Sequence, residues 1–120
     1  MKILLVDDDA FLRDMYATKF TEAGDAVQVA KDGPEALREI ESAVYDVIIM
    51  DMVMPGMSGV ELLEALKSVT NAKDSKCIML SNQGENADVT AAMDAGAVGY
   101  IVKAESIPSE VVHKVHSLAT

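Results

Sequence analysis

The sequence predicts an α/β domain of five parallel strands and five helices, the helices covering both faces of one sheet. Three observations carry this. Apolar runs of strand length, residues 2–6, 46–50 and 76–80, end abruptly at Asp7, Asp51 and Ser81. The segments between such runs repeat their apolar residues at spacings of three and four, the helical period. Connections are short, and neither a repeat nor a linker interrupts them. Strict alternation of this kind gives right-handed crossovers and a parallel sheet between two helical layers.

Each element has its own signals. The first strand, residues 2–6, is broken by Asp7-Asp8-Asp9. A helix then begins at Ala10 with Leu12, Met15, Tyr16 and Phe20 on one face. Asp9 is its N-cap, and Gly24 ends it. Residues 26–30 alternate in character and read as an edge strand. The second helix starts at Lys31-Asp-Gly-Pro-Glu35, where Asp32 caps, Pro34 suits the first turn and Glu35 lies three residues after the cap. Its apolar stripe is Ala36, Leu37, Ile40 and Val44.

The third strand, 46–50, is apolar throughout after Asp46, as a strand buried on both faces must be. A Pro/Gly-containing loop, 51–58, leads to Ser58, the cap of a third helix with Leu62, Leu63, Leu66 and Val69 inward. Residues 70–75 form a polar turn. The fourth strand, 76–80, ends at Ser81, and a loop follows over 82–86. The fourth helix, about 85–95, is the weakest, with little bulk beyond Val89, Ala92 and Met93, and Gly96 ends it. The fifth strand, 98–102, runs into Lys103. Ser106 caps the last helix, with Ile107, Val111, Val112, Val115 and Leu118 inward.

Composition narrows the function. The 120 residues are half hydrophobic along the whole length, which suits one domain over 1–120 with a real core. Ten basic and 20 acidic residues give a formal charge of −10, against direct nucleic-acid binding and in favour of a cation or a basic partner. Cys77 is the only cysteine and sits in an apolar run, as a small buried hydrophobe does. No stretch approaches the roughly 20 apolar residues of a membrane span, and the start of the chain reaches Asp7 too early for a signal peptide. The chain reads as cytoplasmic and off the membrane.

Five strands favour the doubly wound order 2-1-3-4-5, the flavodoxin-like one, over the six-stranded dinucleotide order. Strands one and three are then neighbours, and a crevice opens at their carboxyl ends. Asp7, Asp8 and Asp51 meet there. Three converging carboxylates repel one another, and a hard divalent cation removes that cost. Mg2+, with Mn2+ able to replace it, takes oxygen ligands and keeps several waters. Asp8 and Asp51 would bind directly, Asp7 through water, and the backbone carbonyl of Val53 would complete the set.

Such a site suits phosphoryl transfer, with Asp51 as nucleophile. Lys103, past strand five at the same edge, can pair with Asp51 and later with a phosphoryl oxygen. Ser81 can donate to that oxygen. Tyr100 packs against the sheet, or follows Ser81 as a switch. A flavin-binding reading is disfavoured because a flavin phosphate wants backbone amides and hydroxyls where this loop is Asp-rich. An aspartyl phosphatase would want a second acid where Val53 stands.

At this point the motifs match a known family. Leu5-Val6-Asp7-Asp8-Asp9, Asp51-Met-Val-Met-Pro55 with Gly59, Ser81, and Gly99-Tyr100-Ile-Val-Lys103 lie in order at four strand ends. Over all 120 residues the chain resembles the response-regulator receiver domains of two-component signalling, similar to the single-domain chemotaxis type. Receivers are themselves a type example of the 2-1-3-4-5 order, so order and resemblance are not independent.

The resemblance implies that Asp51 accepts a phosphoryl group from a histidine kinase or histidine phosphotransfer protein, with Mg2+ on Asp7 and Asp8. It implies Lys103 on the phosphoryl group, Ser81 and Tyr100 as the switch pair, and Val53 and Gln83 as the positions tuning dephosphorylation. The output would be an α4-β5-α5 surface, read by a downstream effector or a fused output domain, in a monomer or a phosphorylation-linked dimer. It implies self-phosphorylation and self-dephosphorylation only, with no turnover of an external substrate. The alternative is a receiver-like module that binds partners without phosphorylation. Met52, Met54 and Met57 beside Asp51 are either a docking surface or loop packing. One departure stands out: Lys103 is followed by Ala104, where the family usually has proline.

Overall fold

One sheet organises the molecule, in the order β2-β1-β3-β4-β5 with every pairing parallel. The structure is a computed structural model and describes all residues 1–120. The elements are β1 (Lys2–Val6), α1 (Ala10–Glu22), β2 (Ala26–Ala30), α2 (Gly33–Ser42), β3 (Val47–Met50), α3 (Gly59–Leu66), β4 (Lys76–Ser81), α4 (Asn86–Asp94), β5 (Gly99–Val102) and α5 (Pro108–Ala119). The expected class, order and helix count are all observed.

The pleat divides the core in two. Side chains of successive strand residues point to opposite faces. Leu4, Val6, Ile48, Met50 and Met79 therefore join Ile40, Leu62 and Leu66 under α2 and α3. Ile3, Leu5, Val47, Ile49, Ile78, Leu80 and Ile101 join Tyr16, Phe20, Val111 and Val115 under α1 and α5. All four residues of β3 are fully buried, which explains its unbroken apolar run. Truncating one of them, Ile49→Ala, removes contacts on a face with no solvent to collapse into and costs about 2–5 kcal/mol.

Most helix starts follow their sequence signals. The Leu12 amide donates to Asp9 Oδ1 at 3.1 Å, and the Glu35 amide to Asp32 Oδ1 at 2.9 Å. Ser58 and Glu61 form a reciprocal capping box. Gly24 and Gly96 have positive φ, of 97° and 116°, and let the chain turn after α1 and α4.

Four local expectations need correction. Val44 lies beyond the end of α2 and is exposed, because the chain turns extended at Ala43 to reach β3. Val69 is outside α3; it precedes a 3-10 turn, Thr70–Ala72, that replaces the expected polar turn. Ser106 does not cap α5. The N-cap is Ile107, whose amide donates to the Glu110 carboxylate at 3.2 Å, while the Ser106 hydroxyl accepts from Lys114. Ile107 is accordingly exposed and not part of the inner stripe. A second 3-10 turn, Lys103–Glu105, joins β5 to the α5 region, and no peptide bond is cis, so Lys103–Ala104 is trans.

Candidate functional site

The site is built from strand ends. In this sheet order β1 and β3 are adjacent, with Val6 opposite Met50, so Asp7 and Asp51 leave the sheet side by side. Ligands of open α/β sheets bind at that edge. Carboxylate oxygens of Asp7, Asp8 and Asp51 lie within 4.8 Å of one another. Asp7 is buried, Asp51 half-buried and Asp8 exposed.

Lys103 arrives from β5 at the far edge of the sheet and closes the group. Its Nζ donates to Asp7 Oδ2 and to Asp51 Oδ2, both at 2.8 Å. Its side chain is 7% exposed and Asp7's 3%, so this is a buried cation between two anions. Burial works to lower the Lys103 pKa, but hydrogen bonds to Asp51 and Asp7, and then their charges, outweigh it and hold the pKa above the ordinary lysine value. The alanine after Lys103 does not keep the ammonium from the site.

The second Asp51 oxygen is also occupied. Oδ1 accepts from the Ser81 hydroxyl at 2.7 Å and from the Val53 amide at 3.3 Å. Ser81 Oγ in turn accepts from the Gln83 amide at 3.2 Å. The Tyr100 hydroxyl donates to the Gln83 carbonyl oxygen. A continuous path thus runs from Asp51 through Ser81 and the Gln83 backbone to Tyr100. Burial raises the Tyr100 phenol pKa; the Ser81 hydroxyl opposes that, while Asp88 and Asp51 add to it. Tyr100 is half-buried and packs against the α2–α4 side of the core.

The surroundings hold Asp51 in place. A Cβ at Gly59 would collide with the Asp51 carbonyl oxygen and press on the Met79 thioether. Only glycine lets α3 start this close to Asp51. Met54 is buried, and Met52 and Met57 pack half-buried against the core, so all three methionines contribute to packing the loop. Val53, in the same loop, is exposed at 61%.

A family model for the response regulator receiver domain matches residues 3–116. This chain belongs to the response-regulator receiver family. Among its relatives, the transcriptional regulatory protein ResD of Bacillus subtilis is 37% identical over 117 residues, which are 98% of this chain and 47% of ResD. The protein-glutamate methylesterase/protein-glutamine glutaminase 5 of Myxococcus xanthus is 33% identical over 117 residues, 95% of this chain and 33% of that protein. This receiver spans about half the length, or less, of the curated relatives it matches. The solved chemotaxis response regulator CheY4 of Vibrio cholerae superposes with a TM-score of 0.89 at 33% identity, covering 99% of this chain and 98% of that one. The receiver is a module of two-component signalling, and no helix in it is long and apolar enough to cross a membrane.

Two groupings escaped the sequence reading. Arg13 Nη1 donates to the Asp7 carbonyl oxygen at 3.0 Å. The Asp25 carboxylate, nearly buried, lies 2.6 Å from His116 Nε2 and 3.1 Å from the Met1 amine, so α5 is tied to the turn before β2. Nothing in the local pattern announces either pair, since the partners are distant in sequence or reach backbone atoms.

Proposed function

We propose that residues 1–120 act as one receiver unit that accepts a phosphoryl group on Asp51, in the presence of Mg2+, from a phosphohistidine of a kinase or phosphotransfer protein. The observation that carries this is the double ion pair of Lys103 with Asp7 and Asp51, both at 2.8 Å, with the Ser81 hydroxyl on the other Asp51 oxygen. One carboxylate thus stands between a cation and a hydroxyl donor. A transferred phosphoryl group needs both around its oxygens.

In the transfer, an Asp51 oxygen forms the new O–P bond as the P–N bond to the donor imidazole breaks, and the imidazole keeps the electron pair and takes a proton. Lys103 and Ser81 then turn from the carboxylate to the phosphoryl oxygens. The all-oxygen donor set of Asp8, Asp51 and Asp7 suits a hard cation, with the Val53 carbonyl as a further ligand. Mg2+, or Mn2+ in its place, would offset negative charge on the phosphoryl group. Asp7 is already held by Lys103 and by the Asp9 amide at 3.0 Å, which favours its contact through water.

The signal leaves through Ser81. Drawing its hydroxyl toward a phosphoryl oxygen loads the Gln83 amide and, through the Gln83 carbonyl, the Tyr100 hydroxyl. The surface formed by α4, β5 and α5 is thereby biased toward one of two packings and read by a downstream protein or a fused output domain. Relatives named as a transcriptional regulator and a methylesterase, about two to three times as long as the matched region, support output of this kind. Val53 and Gln83 flank the acceptor, both exposed, where they can set the lifetime of the aspartyl phosphate.

Incubation with Mg2+ and acetyl phosphate, followed by intact mass measurement, tests the reading. The expected result is one phosphate adduct that is lost in Asp51→Asn and in the presence of EDTA. An unmodified wild type, or an adduct that persists in Asp51→Asn, overturns it.

A further inference from the structure

We infer that Arg13 is a positioning residue for the divalent cation, acting through the direction in which Asp8 is held; this rests on the Mg2+ site proposed above. Arg13 is in the first full turn of α1, where the helix N-terminus already presents partial positive charge and a cation is disfavoured. Its side chain folds back along the helix, as long side chains do, and reaches the chain before the helix begins. There Nη1 donates to the Asp7 carbonyl oxygen at 3.0 Å, and Nε is buried without any partner. A residue placed against the helix dipole, with one donor on the metal loop and another left unpaired, is not explained by helix stability.

The hydrogen bonds of the loop show what that contact controls. The Asp7 amide is fixed by the Ala30 carbonyl at 3.1 Å, and its carboxylate by Lys103 and the Asp9 amide. Asp9 is fixed as the cap of α1. The Asp8 carboxylate makes no hydrogen bond and is exposed. Its direction depends on the peptide joining Asp7 to Asp8, and the oxygen of that peptide is the one Arg13 holds. Without Arg13 the peptide is free to rotate and the Asp8 carboxylate leaves the cluster. Residues that orient ligands from outside the ligand set contribute to metal affinity in this way.

The guanidinium charge has the opposite influence, since a cation near the site repels Mg2+. The sign of the effect therefore separates positioning from simple charge. Mg2+ affinity should be measured by calorimetry for wild type, Arg13→Met, Arg13→Lys, Asp8→Asn and the Arg13→Met/Asp8→Asn double variant, with thermal melts in EDTA to establish folding. Arg13→Met should bind Mg2+ about tenfold more weakly. Arg13→Lys, which keeps one donor within reach of the carbonyl, should fall between. In the Asp8→Asn background the Arg13→Met change should add nothing.

Unchanged or tighter binding in Arg13→Met overturns the inference, as does full additivity with Asp8→Asn. If Arg13→Met does not fold, Arg13→Lys decides alone, and wild-type affinity there overturns it. A wild type that fails to bind Mg2+ overturns the cation site itself and this inference with it. Normal wild-type binding with an unmoved Arg13→Met overturns only the inference.

Discussion

The charges around Asp51 make opposite contributions to stability. Lys103 is a buried cation held by two carboxylates, and removing it leaves both without a counter-charge. Lys103→Met should destabilise the fold by about 3–5 kcal/mol, read from urea unfolding at neutral pH. Asp8 is exposed, unbonded and close to two other acids. Asp8→Asn should stabilise the metal-free protein, on the order of 1 kcal/mol, because a like-charge repulsion disappears. The pH dependence follows from the raised Lys103 pKa. A group whose folded pKa exceeds its unfolded value stabilises fully below the unfolded value, about 10.4 for lysine, and loses that contribution as pH rises through the folded one. The gap between wild type and Lys103→Met should therefore be constant at neutral pH and narrow only above about pH 10. A gap that narrows between pH 6 and 8 would contradict this assignment.

Among the helices, α4 is the one least anchored in the core. Only Ala92 is buried in it, Val89 is half-buried and Met93 is 44% exposed. By contrast α3 anchors Leu62, Leu63 and Leu66, and α5 anchors Val111, Val112 and Val115. Local opening is cheapest where little apolar surface is buried. Amides of α4 should exchange with solvent at least tenfold faster than those of α3, measured by native-state hydrogen exchange. Equal protection of the two helices would mean that α4 does not open on its own. The Ser81–Gln83–Tyr100 path runs along the loop that leads into this helix, so under the function proposed above a change at Asp51 would reach α4 first.

At the scale of the whole molecule, the parallel sheet lets residues 96 positions apart, Asp7 and Lys103, share one hydrogen bond. The same sheet seals Cys77 from solvent. Burial pushes its thiol pKa up to about 11, so almost no thiolate exists at neutral pH. Alkylation by iodoacetamide at pH 7.5 should then be slow in the native protein and fast in 8 M urea, followed by mass spectrometry. Rapid native labelling would show that the start of β4 opens without global unfolding.

The sequence by itself determined the strands, the helices, the sheet order and the identity of the residues at the site. Asp9, Asp32 and Ser58 cap where they stand because a cap is a local hydrogen bond within three residues. Asp7, Asp51, Ser81 and Lys103 were legible because each ends an apolar run, and in a parallel sheet all such ends face one edge. The misplaced residues, Val44, Val69, Ser106 and Ile107, all lie at helix termini, where a turn that must reach the next strand overrides periodicity.

Only the tertiary structure decided how the site is wired. It divided the two Asp51 oxygens between Lys103 and Ser81, routed the contact with Tyr100 through the Gln83 backbone, and paired His116 with Asp25. It also put Arg13 on the Asp7 carbonyl. These contacts join elements that meet only when the sheet and its helices pack. Several of them end on backbone atoms, which every residue carries and which no sequence pattern marks.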